Sequence, residues 1–291
     1  MRTHPRRRSC LTVPGGSEKM LRKAIDLPAD EIVLDLEDAV ATDLKHTARR
    51  MVCEAIQSGS FGARQLAVRI NAIGTPWCHD DMIVLAHLDH SNLTLVLPKI
   101  ESIGDLAFVD RLLAGLDAAH PRAHPIGLQI LIETAAGLAN CGAIAAASPR
   151  LQSLIIGYGD LASSLGRSGG SWSFVQETVL LAARANGLQA IDGPNFSLAP
   201  DDGTLARDSA VTAALGFDGK WAIHPSQIEP INAAFTPGEA ELHRARGILA
   251  ALDAAQLSSE GVATYNGAMI DEAMRLGALR VLSRIGELTW L

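Results

Sequence analysis

Asp35, Glu37 and Asp38 stand together in "EIVLDLEDAV" (31–40), at the end of an apolar run. An unpaired buried carboxylate is costly and tends to take up a proton, so three acids at such a place need something to face. Other apolar runs end in the same manner: Arg69 in "VRIN", Lys99 in "LPK", Glu133 in "LIET", Asp160 in "GYGD", Asp192 in "AIDGP" and His224 in "AIHP". An Asp after a strand commonly caps the next helix, and for Asp38 or Asp160 taken singly that explanation serves as well as a functional one. Glu is a poorer cap, and capping does not call for Arg69 or Lys99. Carboxylates without a Cys/His cluster suit a hard cation such as Mg2+, which takes one or two of them and fills its shell with water and substrate oxygens. Glu133 and Asp160 are the natural pair. The Arg69 guanidinium can hold a substrate carboxylate side-on. Metal plus arginine suits a 2-oxo acid, because both cations stabilise an enolate or alkoxide as it forms.

These residues have to be positioned by strands. Eight β-type runs are legible: 10–13, 31–37, 66–70, 93–98, 126–133, 152–158, 188–192 and 220–224. Between them lie stretches with apolar residues at helical spacing, such as "LKHTARRMVCEAIQ", "IGDLAFVDRLLAGLDAA" and "FVQETVLLAARANG". Apolar strands alternating with helices imply a parallel sheet covered by helices, and eight units imply a (β/α)8 TIM barrel. The rival is an open doubly wound sheet. In a barrel the strands' C-terminal ends carry the active site, and Glu133 and Asp160 then fall on adjacent strands, the fifth and sixth. The barrel is expected over 8–224. Residues 225–291 are expected to form a helical extension, with helices around 238–256 and 268–285, that packs on its own barrel or on a neighbouring subunit.

A chain of 291 residues, 48% hydrophobic, suits one large domain or two small ones. No apolar run reaches 18 residues, so no membrane span is expected. The net charge of −7 argues against nucleic acid as the main partner. Four scattered cysteines without a C-x-x-C pair read as reduced thiols in a cytoplasmic protein.

Taken in order, "RSCLTVPG", "DLEDAV", "VRIN", "LPKIES", "LIETAAGLAN", "GYGDLASSLG", "AIDGP", "GFDGKWAIHPSQIEPIN" and "NGAMID" resemble the signature series of the CitE-like branch of the HpcH/HpaI aldolase family. The resemblance covers about residues 8 to 275. It implies a TIM barrel, Mg2+ and reversible carbon–carbon cleavage of a hydroxyacyl-CoA thioester such as malyl-CoA or citramalyl-CoA, releasing a 2-oxo acid. It implies Glu133 and Asp160 as metal ligands, Arg69 as the oxo-acid's binding residue, and Glu37 and Asp38 as acids near the metal's waters. It implies Asp271 as an acid/base presented to a neighbouring subunit, and hence a homo-oligomer, a trimer or hexamer. Arg8, Lys19 and the "GK…IHP" segment with His224 fall where relatives bind CoA or line its entrance. His224 reads equally as a structural hydrogen-bonder, and Lys99 as a cation of the substrate site or as a partner of the acids. Relatives often carry a lysine where this chain has Ala268, which bears on the tail's contacts with CoA.

Alternative readings in the same site are thioester hydrolysis or malate-synthase-like condensation, and aldol cleavage of a free hydroxy-oxo acid. A citrate lyase β subunit would need partner subunits, and a catalytically silent relative would keep the fold alone.

Overall fold

The computed structural model describes residues 5–62, 64–88, 90–198, 203–257 and 262–287. Eight parallel strands close into a barrel: β1 (Ser9–Pro14), β2 (Glu31–Asp35), β3 (Gln65–Arg69), β4 (Leu93–Leu97), β5 (Gly127–Ile132), β6 (Leu151–Ile156), β7 (Gln189–Asp192) and β8 (Gly219–Ala222), with β1 paired to β8. The TIM barrel expected from the apolar runs is the fold that forms, and the open sheet is not. The second and sixth strands stop earlier than their apolar runs do. Leu36 and Glu37 already belong to a turn, and Gly157 starts a helical turn.

Helices α1 (Glu18–Ala24), α2 (Lys45–Gln57), α3 (Cys78–Ala86) and α4 (Ile103–Ala119) follow the first four strands. Two short helices, α5 (Ala135–Ala139) and α6 (Cys141–Ala145), follow β5. Helices α7 (Tyr158–Leu165) and α8 (Ser173–Ala185) follow β6, and α9 (Thr204–Leu215) follows β7. Helix α4 starts with a full capping box, in which Ser102 and Asp105 satisfy each other's backbone donors. That cap ends the Lys99–Glu101 loop at a fixed point.

Side chains alternate across a strand, so each strand gives every second residue to the barrel interior. Cys10, Val33, Ala67, Val96, Leu131, Ile155, Ile191 and Trp221, one from each strand, form the interior cluster. Two residues earlier the interior turns polar: Glu31, Thr94, Gln129, Ser153 and Gln189 are all buried. Arg7 closes this floor. Its Nε donates to Glu31 Oε1 (2.7 Å), Nη1 to Gln189 Oε1 (2.6 Å) and Nη2 to Gln152 Oε1 (2.6 Å), and the residue is only 1% exposed. Gln129 joins the net by donating to Glu31 (2.9 Å) and Thr94 (2.8 Å). Gly219 is required here, since a Cβ would lie 1.8 Å from the Arg7 carbonyl oxygen. Two residues beyond the cluster, in the other direction, the same interior parity reaches Asp35, Arg69 and Glu133.

The chain divides into two compact units, Arg7–Asn232 and a second that runs from Ala233 onward and takes in Arg6. After α10 (Ile228–Ala234), the second unit contains α11 (Glu239–Leu257), a hairpin of β9 (Ala263–Tyr265) and β10 (Ala268–Ile270), and α12 (Glu272–Ser283). The expected helix around 268–285 forms from Glu272 onward as α12, and the hairpin corrects only its start, where β10 takes Ala268–Ile270. Asn266 (φ 50°) and Gly267 (φ 78°) both take left-handed backbone, the geometry of the tight turn that favours an Asn-Gly pair. Leu242, Ala245, Ile248 and Leu252 of α11 pack with Ile270, Ala278 and Leu282. Among the described residues no helix is long and apolar enough to cross a membrane.

Candidate active site

The β2, β3, β4 and β5 ends meet around Arg69. Asp35, fully buried as the last residue of β2, takes Arg69 side-on: Nε donates to Oδ1 (2.7 Å) and Nη2 to Oδ2 (2.6 Å). Both Asp35 oxygens also accept backbone N–H groups, from Glu37 (2.9 Å) and Ala39 (3.1 Å). Asp35 is thus spent on structure. It shapes the turn that presents Glu37 and Asp38 and fixes the guanidinium plane. A buried pair of this kind sets position more than it adds stability. Arg69 Nη1 points to Glu37 Oε2 (3.1 Å) and Asp38 Oδ2 (3.3 Å), so the Nη1/Nη2 edge is the one directed away from Asp35. Desolvation pulls the guanidinium's pKa down, but the bonds to Asp35 outweigh it and the group stays charged.

Lys99 joins two strand ends. Its Nζ donates to Glu37 Oε1 (2.6 Å), and its backbone N–H donates to Glu133 Oε1 (2.8 Å). It does both from a left-handed backbone, φ 52°, which non-glycine residues rarely adopt. Strain of that kind concentrates at functional sites. Glu37 is buried, its pKa is raised by desolvation, and its Oε2 accepts no hydrogen bond.

Glu133 follows β5 and is 2% exposed. Burial first, then the charges of Glu37 and Asp160, push its carboxyl up to about 8, against partial relief from Lys99 N–H and Arg69. Its Oε2 makes no hydrogen bond among the described residues. Gly157 gives it room, because a Cβ there would sit 2.5 Å from Glu133 Cβ and 2.7 Å from Oε2. Asp160, half-buried, lies in the first turn of α7, whose N-cap is Gly157. It does not fill the capping role that sequence alone allowed it, and neither does Asp38, which is exposed before the turn at Thr42–Leu44.

Two cations that were not among the expected residues support these loops from α2. Lys45 Nζ donates to the carbonyls of Leu36 (2.8 Å) and Glu37 (2.6 Å). Arg49 Nε donates to Asp81 (2.6 Å), whose other oxygen takes both the backbone (3.0 Å) and side-chain (2.7 Å) N–H groups of Asn71, just past Arg69. A signal for both was present. Lys45 and Arg49 lie on the same helical stripe as Val52, Cys53 and Ile56, where charge has no place without a buried partner.

The other expected residues lie elsewhere. Arg8 stands before β1, at the barrel's opposite end, with Nε and Nη2 on Asp30 (2.8 and 2.9 Å). It is not gathered with the strand C-termini. Lys220 is buried against Asp192, on the outer face of the sheet, so the "GK" pair offers no free charge at an entrance. Lys19 is exposed in the first turn of α1, on the mouth side. His224 is exposed and caps the turn at Pro225–Gln227, its Nδ1 accepting from Ser226 N–H (3.2 Å), a structural use that the sequence left open. Asp271 belongs to the second unit, where it caps α12 by accepting from Ala273 N–H (3.0 Å).

An all-oxygen donor set, an open Glu133 oxygen and an excess of negative charge fit a hard divalent ion. If all are ionised, five carboxylates (Asp35, Glu37, Asp38, Glu133, Asp160) face three cations (Arg69, Lys99, Lys45), an excess of two charges. Among the described residues no three His, Cys, Asp or Glu side chains are arranged to hold an ion alone, so further ligands would be water or substrate, as is usual for Mg2+.

Residues 8–225 match the profile of the HpcH/HpaI aldolase/citrate lyase family. An L-malyl-CoA/beta-methylmalyl-CoA lyase of Cereibacter sphaeroides is 36% identical over 282 residues, covering 89% of this chain and 88% of the relative. A (3S)-malyl-CoA thioesterase of the same species is 34% identical over 281 residues, covering 95% and 94%. Protein CitE from Mycobacterium tuberculosis, solved in complex with magnesium, acetoacetate and coenzyme A, is 31% identical, with a TM-score of 0.74 and coverage of 97% and 99%. A citrate lyase from Burkholderia xenovorans LB400 gives a TM-score of 0.83 at 25% identity, covering 100% and 95%.

Proposed function

Because the chain belongs to the HpcH/HpaI aldolase/citrate lyase family, we propose that it is a Mg2+-dependent carbon–carbon lyase acting on a hydroxyacyl-CoA thioester, malyl-CoA or a close analogue. The observation that carries this reading is Glu133: a buried carboxylate with one open oxygen, pushed up to about 8 beside Asp160 and facing the Arg69 site. Glu133 and Asp160 hold the ion. When bound, the ion polarises the oxo group and offsets the excess negative charge.

Arg69 grips the oxo-acid carboxylate through its Nη1/Nη2 edge, since Asp35 occupies the other. Asp35 and Lys99 keep that edge and Glu37 in place. In the cleavage direction the hydroxyl gives its proton to the Glu37 carboxylate, whose Oε2 accepts no hydrogen bond, the carbon–carbon bond breaks into a thioester enolate, and the oxo-acid carbonyl forms. The enolate carbon then takes a proton from the partner subunit's Asp271, which makes the working enzyme a homo-oligomer, a trimer or hexamer. Lys19 is the cation left to meet CoA phosphates on the mouth side. A cytoplasmic location is part of the proposal, supported by four buried free cysteines.

The test is incubation with Mg2+ and malyl-CoA, citramalyl-CoA, methylmalyl-CoA or citryl-CoA, with products identified by mass spectrometry. Glyoxylate, pyruvate or oxaloacetate with the matching acyl-CoA supports the lyase. The thioesterase relative favours a second outcome, free hydroxy acid and CoA, from the same site with water as nucleophile. Turnover of none of the four refutes both.

A further inference from the structure

We propose that Tyr158 is a positioning residue whose hydroxyl fixes the first turn of α7, and with it the placement of Asp160 beside Glu133. The inference rests on the reading of Glu133 and Asp160 as the metal pair. It adds a third side chain that keeps them a pair.

Asp160 has no hydrogen bond or ion pair of its own among the described residues, so its position is that of the helical turn carrying it. Leu161 is buried in that turn, but the turn's N-terminal residue needs a hold of its own. Helix α7 has eight residues, no side-chain cap at its N-terminus, and a left-handed glycine, Gly166, at its end. Tyr158, the first residue of α7, supplies the anchor. Its hydroxyl donates to Asp192 Oδ1 (2.5 Å) and accepts from Gln176 Nε2 (2.9 Å) of α8. The other Asp192 oxygen holds Lys220 Nζ, and Asp192 and Lys220 are both buried. The acceptor of the tyrosine proton is therefore itself rigid, tied across β7 and β8.

The ring is held as well. Trp172 packs on it with centroids 4.9 Å apart. The backbone of Gly193 lies under it, where a Cβ would come 2.4 Å from Tyr158 Cδ2. The "AIDGP" motif thereby gains a physical role, in which Asp192 receives the hydroxyl and Gly193 leaves space for the ring. Two residues on a helix are about 200° apart, so Asp160 projects on the side opposite Tyr158. Pinning Tyr158 fixes the rotation of the turn about its axis, and that rotation sets where the Asp160 carboxylate stands.

The experiment is Mn2+ binding to the full-length protein, followed by electron paramagnetic resonance, for wild type, Asp160→Asn, Tyr158→Phe and Tyr158→Leu, with metal-free melting temperatures alongside. Asp160→Asn should abolish tight binding. Tyr158→Phe should weaken it about fivefold, the size of one average hydrogen bond, with the metal-free melting temperature falling by only about 2–4 °C. Tyr158→Leu should weaken it further. The Mg2+ concentration needed for half-maximal activity should rise in Tyr158→Phe while kcat at saturating Mg2+ holds. If Asp160→Asn loses Mn2+ but Tyr158→Phe binds as wild type does, or only its melting temperature falls, the positioning role is refuted and the metal reading stands. If wild type binds no Mn2+, both are refuted.

Discussion

Glu133 is the residue on which pH and metal should act together. In the folded protein its carboxyl is pushed up to about 8 from 4.5. Between those values the folded chain holds a proton that the unfolded chain has released, so folding stability without metal falls as pH rises through that window and stays reduced above it. Glu133→Gln cannot titrate there. Its melting temperature, relative to wild type without metal, should climb from pH 5 to pH 8 and then level off; a constant difference would contradict the raised pKa. Added Mg2+ should stabilise wild type more at pH 8.5 than at pH 6, where binding must first displace the proton, and Glu133→Gln should show no metal-dependent activity at either. At Arg69 the prediction concerns shape. Arg69→Lys keeps the charge but cannot pair side-on with Asp35 and also offer an edge to substrate. Steady-state kinetics should show kcat/KM down by roughly 10^2-fold or more, the size expected when a charge-stabilising donor is lost.

At the scale of elements, the β6–α7 junction governs the site. Gly157→Ala places a methyl in the space of Glu133, at an overpacking cost of about 1–3 kcal/mol. The carboxylate should be driven out of line, so Mn2+ binding should weaken in a protein whose circular dichroism still shows the barrel. What was legible beforehand follows from the same local physics. The eight strands were readable because each is a short, nearly unbroken apolar run that a covered parallel sheet demands. The strand-end residues Arg69, Lys99 and Glu133 were readable because capping does not explain them. Arg7 was not, because "RRR" at 6–8 does not reveal which arginine turns inward, and the neighbouring Arg8 drew attention while it pairs with Asp30 before the first strand. The hairpin at 263–270 was hidden by the apolar spacing around it, although the Asn266–Gly267 pair is a turn signal in its own right. The outward placement of Asp192 was hidden too, since a strand-end acid shows nothing of its facing until the strand's parity is known.

For the molecule as a whole, the shared-site proposal makes a prediction about mixtures. Asp271→Asn and Glu133→Gln should each be inactive, and co-refolded or co-expressed together they should recover part of the wild-type rate, because some interfaces would join an intact Glu133 to an intact Asp271. A protein that is monomeric at working concentration, or mixed oligomers without activity, would overturn that arrangement.

The Arg7 floor carries a consequence of a different kind, in the timing of synthesis. Arg7 is synthesised well before two of its acceptors, Gln152 and Gln189, which lie 145 and 182 positions later. Until the seventh strand is made, the guanidinium has no complete set of partners, and burying it early would be costly. The ring therefore has reason to stay open until its last strands exist. Pulse-labelled nascent chains should acquire protease resistance in one late step rather than strand by strand.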